Sequence, residues 1–219
     1  MFRTQVRDRL PVYLVTDLSD YEGRSALEIV REALEGGVTI VQLREKKAQL
    51  RQVLQEGAAI RQLCREYGVP FVVNDRVDLA MLLEADGVHV GQDDLPGSEA
   101  RKLLGNEAII GVSAGTMEEA EWAMAQGADY LGVGAIYSTL TKGDAGAPIG
   151  TGLLEQIHER WPHIGMVGIG GIQAANAVQV IEAGADGVAV VSAITKHSHP
   201  RESAQQLAET VQSTKSRMS

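Results

Sequence analysis

The chain has 219 residues, 44% hydrophobic, 22% charged and only 4% aromatic, with 24 glycines and one cysteine. That length suits one or two domains that fold without a disulfide staple, and the lone Cys64 excludes an internal disulfide framework. A net charge of −9 argues against nucleic acid as a partner, because a phosphate backbone calls for a basic face.

No apolar run reaches the roughly 18 residues of a membrane-spanning helix. The first ten residues carry Arg3, Arg7 and Arg9 but neither an apolar stretch nor a cleavage site of small residues. No secretory signal and no membrane partner are therefore expected, and the cytoplasm is the expected compartment.

Short apolar runs rich in Val and Ile recur at 12–16, 38–42, 71–74, 87–90, 108–113, 130–133, 165–169 and 187–191. Most are continuous rather than alternating, as in strands buried on both faces of a parallel sheet. Helical patterns separate them. The first, over 25–35, puts Ala26, Ile29, Val30 and Ala33 on one face; the second carries Val53, Leu54, Ile60 and Cys64. Further helical stretches fall at 77–83, 97–104, 117–126, 153–160, 173–182 and 202–212.

Several helices end in a related phrase: Gly36-Gly37-Val38, Ala85-Asp86-Gly87, Gly127-Ala128-Asp129 and Gly184-Ala185-Asp186. Glycine suits a helix end, and the next strand starts a few residues on. No Pro-rich, Ser-rich or charged linker divides the chain. Eight strands alternating with about eight helices predict a single-domain α/β TIM barrel over 1–219. Residues 1–11 then form an N-terminal extension, and 200–219 a C-terminal helix and tail. An open doubly wound sheet is the alternative.

In a TIM barrel the active site lies at the C-terminal ends of the strands, and polar residues follow these apolar runs. They are Gln42, Arg44 and Lys46; Asn74 and Asp75; Asp94; Ser113; Thr139, Thr141 and Lys142; Gly170 and Gly171; and Ser192. Arg44, Lys46 and Lys142 suit a multiply charged anion such as a diphosphate. Asp75 and Asp94 are hard oxygen donors of the kind that hold Mg²⁺ against phosphate. The glycines after the seventh strand and Ser192 after the eighth suit a second, backbone-lined phosphate seat. The expected partners are two small phosphorylated substrates, with homo-oligomerisation left open.

Taken singly, each feature has a plainer reading. Asp75 or Asp94 could cap a helix, and Lys46 or Lys142 could be a solvated loop charge. His89, inside the fourth strand, reads as a hydrogen-bonded structural histidine rather than a base. The pair His197 and His199 lacks a third ligand, and Cys64 reads as packing.

Together these residues resemble the thiamine phosphate synthase family. The strings are Gln42-Leu43-Arg44-Glu45-Lys46, Asn74-Asp75-Arg76, Gly87-Val88-His89-Val90-Gly91-Gln92-Asp93-Asp94, Gly111-Val112-Ser113, Thr139-Leu140-Thr141-Lys142, Val167-Gly168-Ile169-Gly170-Gly171 and Val191-Ser192-Ala193-Ile194. The resemblance implies a transferase that joins 4-amino-2-methyl-5-(diphosphooxymethyl)pyrimidine to a thiazole phosphate or its carboxylated tautomer, releasing pyrophosphate. By position it implies that Gln42, Arg44, Lys46, Asn74, Ser113 and Lys142 hold the pyrimidine diphosphate, with Arg44, Lys46, Ser113 and Lys142 as catalytic residues. It further implies Asp75 and Asp94 on Mg²⁺, with Thr139, Thr141, Gly171, Val191 and Ser192 on the thiazole phosphate.

The chain departs from the family at Gly115, where a histidine is usual, and at Ala135 and Ser138, where prolines are usual. A thiazole tautomerase of the same barrel family and a non-catalytic barrel that binds a phosphorylated ligand are the competing readings. The segment 139–148 reads as a lid over the site.

Overall fold

Val, Ile and Leu fill both faces of a short strand well, and here such runs form the staves of a closed parallel barrel. The computed structural model describes residues 2–139 and 147–218. Its strands are β1 (Val12–Thr16), β2 (Ile40–Leu43), β3 (Phe71–Asn74), β4 (Gly87–Val90), β5 (Ile109–Ala114), β6 (Tyr130–Gly134), β7 (Gly165–Ile169) and β8 (Gly187–Val190). Each pairs with its sequence neighbour, and β1 with β8 closes the ring.

The helices are α1 (Ala26–Glu35), α2 (Leu50–Glu66), α3 (Val77–Leu82), α4 (Gly97–Leu104), α5 (Met117–Ala125), α6 (Gly152–Arg160), α7 (Ala174–Glu182), α8 (Ser192–Thr195) and α9 (Pro200–Met218). Among the described residues, no helix is long and apolar enough to cross a membrane. Ser25 starts α1 through a capping box with Glu28, so that helix begins one residue later than its apolar pattern suggests.

Two packed layers result. Outward-facing strand residues such as Leu14, Val41, Val73 and Val112 meet the apolar helix faces, including Ile29, Ile60 and Cys64. Inward-facing residues such as Tyr13, Ile40, Val72, Ile109 and Val167 fill the barrel. Cys64 is fully buried, and burial pushes its thiol up to about 12. Dithiobisnitrobenzoate should therefore react with it only as the protein unfolds. Native labelling as fast as labelling in denaturant would contradict this packing.

The repeated phrase before alternate strands has a physical role. Asp86 accepts from Phe71 N–H at 2.8 Å, Asp129 from Ile110 N–H at 2.8 Å and Asp186 from Met166 N–H at 3.0 Å. In return the backbone N–H groups of Asp86, Asp129 and Asp186 donate to those same three residues' carbonyls. Thr39 does the same before β2: its Oγ1 accepts from Val12 N–H at 3.0 Å and its N–H donates to Val12 O. Each such residue pins the start of the strand before it, which is why β2 begins at Ile40 rather than Val38.

The N-terminal segment is more than an extension. Residues Arg3–Arg9 form a 3-10 helix whose Val6, followed by Leu10, joins the inner core at the N-terminal end of the barrel. Arg3 pairs with Asp129 and Arg7 with Asp186, clasping this plug to two of the pinning carboxylates. The C-terminal helix fills most of the expected 200–219 segment, starting two residues before the 202–212 stripe and running six past it. Pro200 opens it, a position where its missing N–H costs nothing, and Ala204, Leu207, Val211 and Thr214 are buried along it.

Candidate active site at the C-terminal rim

Strand periodicity decides which side chains reach the barrel's mouth. Register sets Val15, Gln42 and Val72 at one level and Asn74, His89, Gly111 and Tyr130 at another. Above them opens a cavity of about 810 Å³. Gln42, Arg44, Asn74 and Ser113 line one side, and Thr139, Gly171, Val191 and Ser192 also line it. Eight residues singled out from sequence thus meet in one cavity. Thr141, Lys142 and most of the expected lid lie outside the described residues.

Lys46, Asp75 and Asp94 form a separate cluster at the rim. Lys46 is ion-paired with Asp75, whose carboxylate sits in turn beside Asp94. Neither aspartate is a helix cap: Arg76 holds that position for α3 and Pro96 for α4. Asp75 follows the last residue of β3 in a left-handed conformation, φ 59°, which Asp tolerates better than most residues. Its N–H donates to His89 O at 2.8 Å, tying this turn to β4.

Asp94 Oδ2 accepts from Gly91 N–H at 2.7 Å. Burial pushes the Asp94 carboxyl above its usual range, and neighbouring Asp75 acts the same way, against the Gly91 hydrogen bond. Two close carboxylates, one raised by burial and by the other, are a donor set that a hard divalent cation relieves. Among the described residues no group of three or more His, Cys, Asp or Glu could hold a metal, so further ligands would come from ligand phosphate and water.

The opposite wall is built by backbone. Gly170 and Gly171 have φ of 101° and 64°, and a Cβ on Gly171 would lie 2.5 Å from Ser138 O. Both conformation and space demand glycine there. The strand predicted through Val191 stops at Val190; Val191 turns the chain, and α8 starts at Ser192, within the cavity wall. Loops after β7 and β8 are where barrels commonly seat phosphate.

Sequence reasoning missed part of the lining. Tyr13 from β1 and Lys196 and His197 after α8 also face the cavity. Tyr13 lies inside a continuous apolar run, where only the inward period of two distinguishes it. His89 is hydrogen-bonded through both ring nitrogens, as expected of a histidine inside a strand. At Gly115 a Cβ would come no closer than 3.4 Å to its neighbours, so the surroundings do not require glycine there.

A closed eight-stranded barrel with its polar residues gathered at the C-terminal strand ends defines a TIM-barrel enzyme. The profile of the family described as Thiamine monophosphate synthase matches residues 12–194. A thiamine-phosphate synthase of Moorella thermoacetica is 52% identical over 200 residues, spanning 91% of this chain and 95% of its own length. One from Geobacillus kaustophilus is 47% identical, spanning 97% of each. Among solved structures, thiamine phosphate pyrophosphorylase from Pyrococcus furiosus superposes with a TM-score of 0.86 at 40% identity, covering 95% of this chain and 98% of that one. The chain belongs to the thiamine monophosphate synthase family, and it is a transferase.

Proposed function

We propose that this transferase joins 4-amino-2-methyl-5-(diphosphooxymethyl)pyrimidine to a thiazole phosphate, or its carboxylated tautomer, giving thiamine phosphate and pyrophosphate. The observation that carries the proposal is one cavity with two unlike walls. Gln42, Arg44, Asn74 and Ser113 line it together with a glycine-lined seat at Gly171 and Ser192, and Lys46, two residues past Arg44, pairs with Asp75 beside Asp94.

In this reading Gln42, Asn74 and Ser113 hold the pyrimidine ring, while Arg44 and Lys46 hold its diphosphate. Lys142 and Thr141 lie outside the described residues; the same reading assigns Lys142 to the diphosphate and Thr141 to the thiazole phosphate. Thr139, Gly171, Val191 and Ser192 hold the thiazole phosphate. Asp75 and Asp94 would hold Mg²⁺, which when bound supplies positive charge to the departing pyrophosphate.

The carbon–oxygen bond to the diphosphate breaks as Arg44 and Lys46 stabilise the negative charge that develops. The aminopyrimidine donates electron density to the methylene carbon left behind, and the thiazole nitrogen supplies the electron pair of the new carbon–nitrogen bond. The protein contributes orientation and charge rather than a nucleophile. Cys64 is sealed on the buried face of α2, and His89 is bonded at both nitrogens, which suits that division of labour.

The test incubates the pure protein with both substrates and Mg²⁺ and follows pyrophosphate. Release that needs both substrates is expected. Interconversion of thiazole tautomers without coupling would select the tautomerase instead, and binding without turnover the non-catalytic barrel.

A further inference from the structure

A row of polar side chains crosses the barrel at the floor of the cavity. Gln42 Nε2 donates to Tyr13 Oη at 2.7 Å, and the Tyr13 and Tyr130 hydroxyls lie 2.7 Å apart. Tyr130 Oη lies 2.9 Å from His89 Nδ1, and His89 Nε2 lies 3.0 Å from Ser113 Oγ. The row begins and ends on cavity-lining residues and passes between them through side chains that are at most 9% exposed. Gly111 and Gly132 leave the space it needs. A Cβ on Gly111 would lie 2.2 Å from the Tyr130 ring, and one on Gly132 would lie 2.9 Å from His89.

Each hydroxyl has one proton to give, and that sets a direction. Tyr13 accepts from Gln42, so its own proton goes to Tyr130 Oη. Tyr130 then gives its proton to His89 Nδ1, which must be the unprotonated nitrogen. His89 Nε2 therefore carries the proton and donates to Ser113 Oγ, leaving the serine proton for the cavity. Running the row backwards would require the Gln42 amide to turn over and set its oxygen, in place of Nε2, against Tyr13 Oη.

We propose that Tyr13, Tyr130 and His89 are positioning residues that lock Ser113 as a hydrogen-bond donor and leave the Gln42 amide oxygen as an acceptor. That polarity selects a heteroaromatic ring whose edge presents one acceptor and one donor, as an amino-substituted ring nitrogen does. The identity of the ring rests on the function proposed above; the polarity is a property of the protein alone.

The test uses the full chain with ¹⁵N-labelled histidine, first without ligand. Comparison with His89→Gln assigns the His89 signals. The expected spectrum shows neutral His89 with its proton on Nε2. Tyr130→Phe keeps the ring and removes one hydroxyl, so it should release this lock and mix the two tautomers. Tyr13→Phe, which breaks the row one link earlier, should do the same and guards against a folding defect in either variant.

Binding of the pyrimidine diphosphate is then measured by calorimetry. Tyr130→Phe and Ser113→Ala should each weaken it about tenfold, and the double variant little further, since both remove the same donor. A wild-type His89 protonated on Nδ1 would overturn the polarity. Additive losses near a hundredfold would overturn the coupling. An Nε2–H tautomer that the tyrosine variants disturb, in a protein that does not bind the diphosphate, would uphold the lock and refute only the ring assigned to it.

Discussion

Replacing Asp75 by asparagine is expected to cut turnover by roughly two to three orders of magnitude, the scale on which a charge-stabilising group acts in a transition state. Asparagine is the informative substitution because the residue sits at φ 59°, which Asn accepts and alanine resists. The turn, the backbone bond to His89 O and the fold are thereby kept, and only charge is removed. The variant also frees Lys46 from its ion pair. A free lysine would strengthen binding of a bare diphosphate, so lower turnover without weaker diphosphate binding assigns the loss to the carboxylate. Steady-state rates across a Mg²⁺ titration, with thermal melts of both proteins, check the prediction. Wild-type turnover with an unchanged Mg²⁺ requirement would remove Asp75 from the proposed metal site.

Asp129→Ala should act on the fold instead, costing about 3–5 kcal/mol of stability. Its carboxylate accepts from Arg3 Nε at 2.8 Å, Arg101 Nη2 at 2.6 Å and Ile110 N–H at 2.8 Å. The carboxylate is 11% exposed and the Arg101 side chain 15%, so truncation leaves a nearly buried guanidinium with only the Ala108 and Gly127 carbonyls to offset its charge, and a strand N–H without its side-chain acceptor. For a chain of this size the loss lowers the melting temperature by on the order of 10 °C. Asp129→Asn retains an oxygen for Ile110 N–H and gives up only the charge, so it should fall between wild type and alanine. Calorimetric melts of the three proteins decide this, and an alanine variant as stable as wild type would show that the clasp adds nothing to stability.

Much of this was legible in the residues. Eight Val- and Ile-rich runs separated by helical stripes leave few ways to bury both strand faces, so the barrel and its strand order follow from periodicity. The same logic gathered the candidate residues, because polar residues after apolar parallel strands come together at one rim, and eight of them line one cavity. Asp129 and Asp186 were visible as a repeated phrase, but their pinning of the preceding strand was not. That role needs a partner 19 or 20 residues away, brought near by the turn of the barrel. The plug formed by Arg3–Arg9 had no apolar periodicity to announce it; only the open N-terminal end of the barrel gives Val6 a place to be buried.

By itself, the sequence determined the fold class, the single rim at which chemistry could occur, and the residue types available there. These depend on local periodicity and composition, which do not need to know what lies across the barrel. Only the tertiary structure decided that Lys46, Asp75 and Asp94 form a rim cluster beside the cavity rather than within its wall. It alone joined Gln42 to Ser113 through Tyr13, Tyr130 and His89. Such contacts run between strands far apart in the chain, and their hydrogen-bond polarity is set by register and ring geometry, which no window of sequence contains.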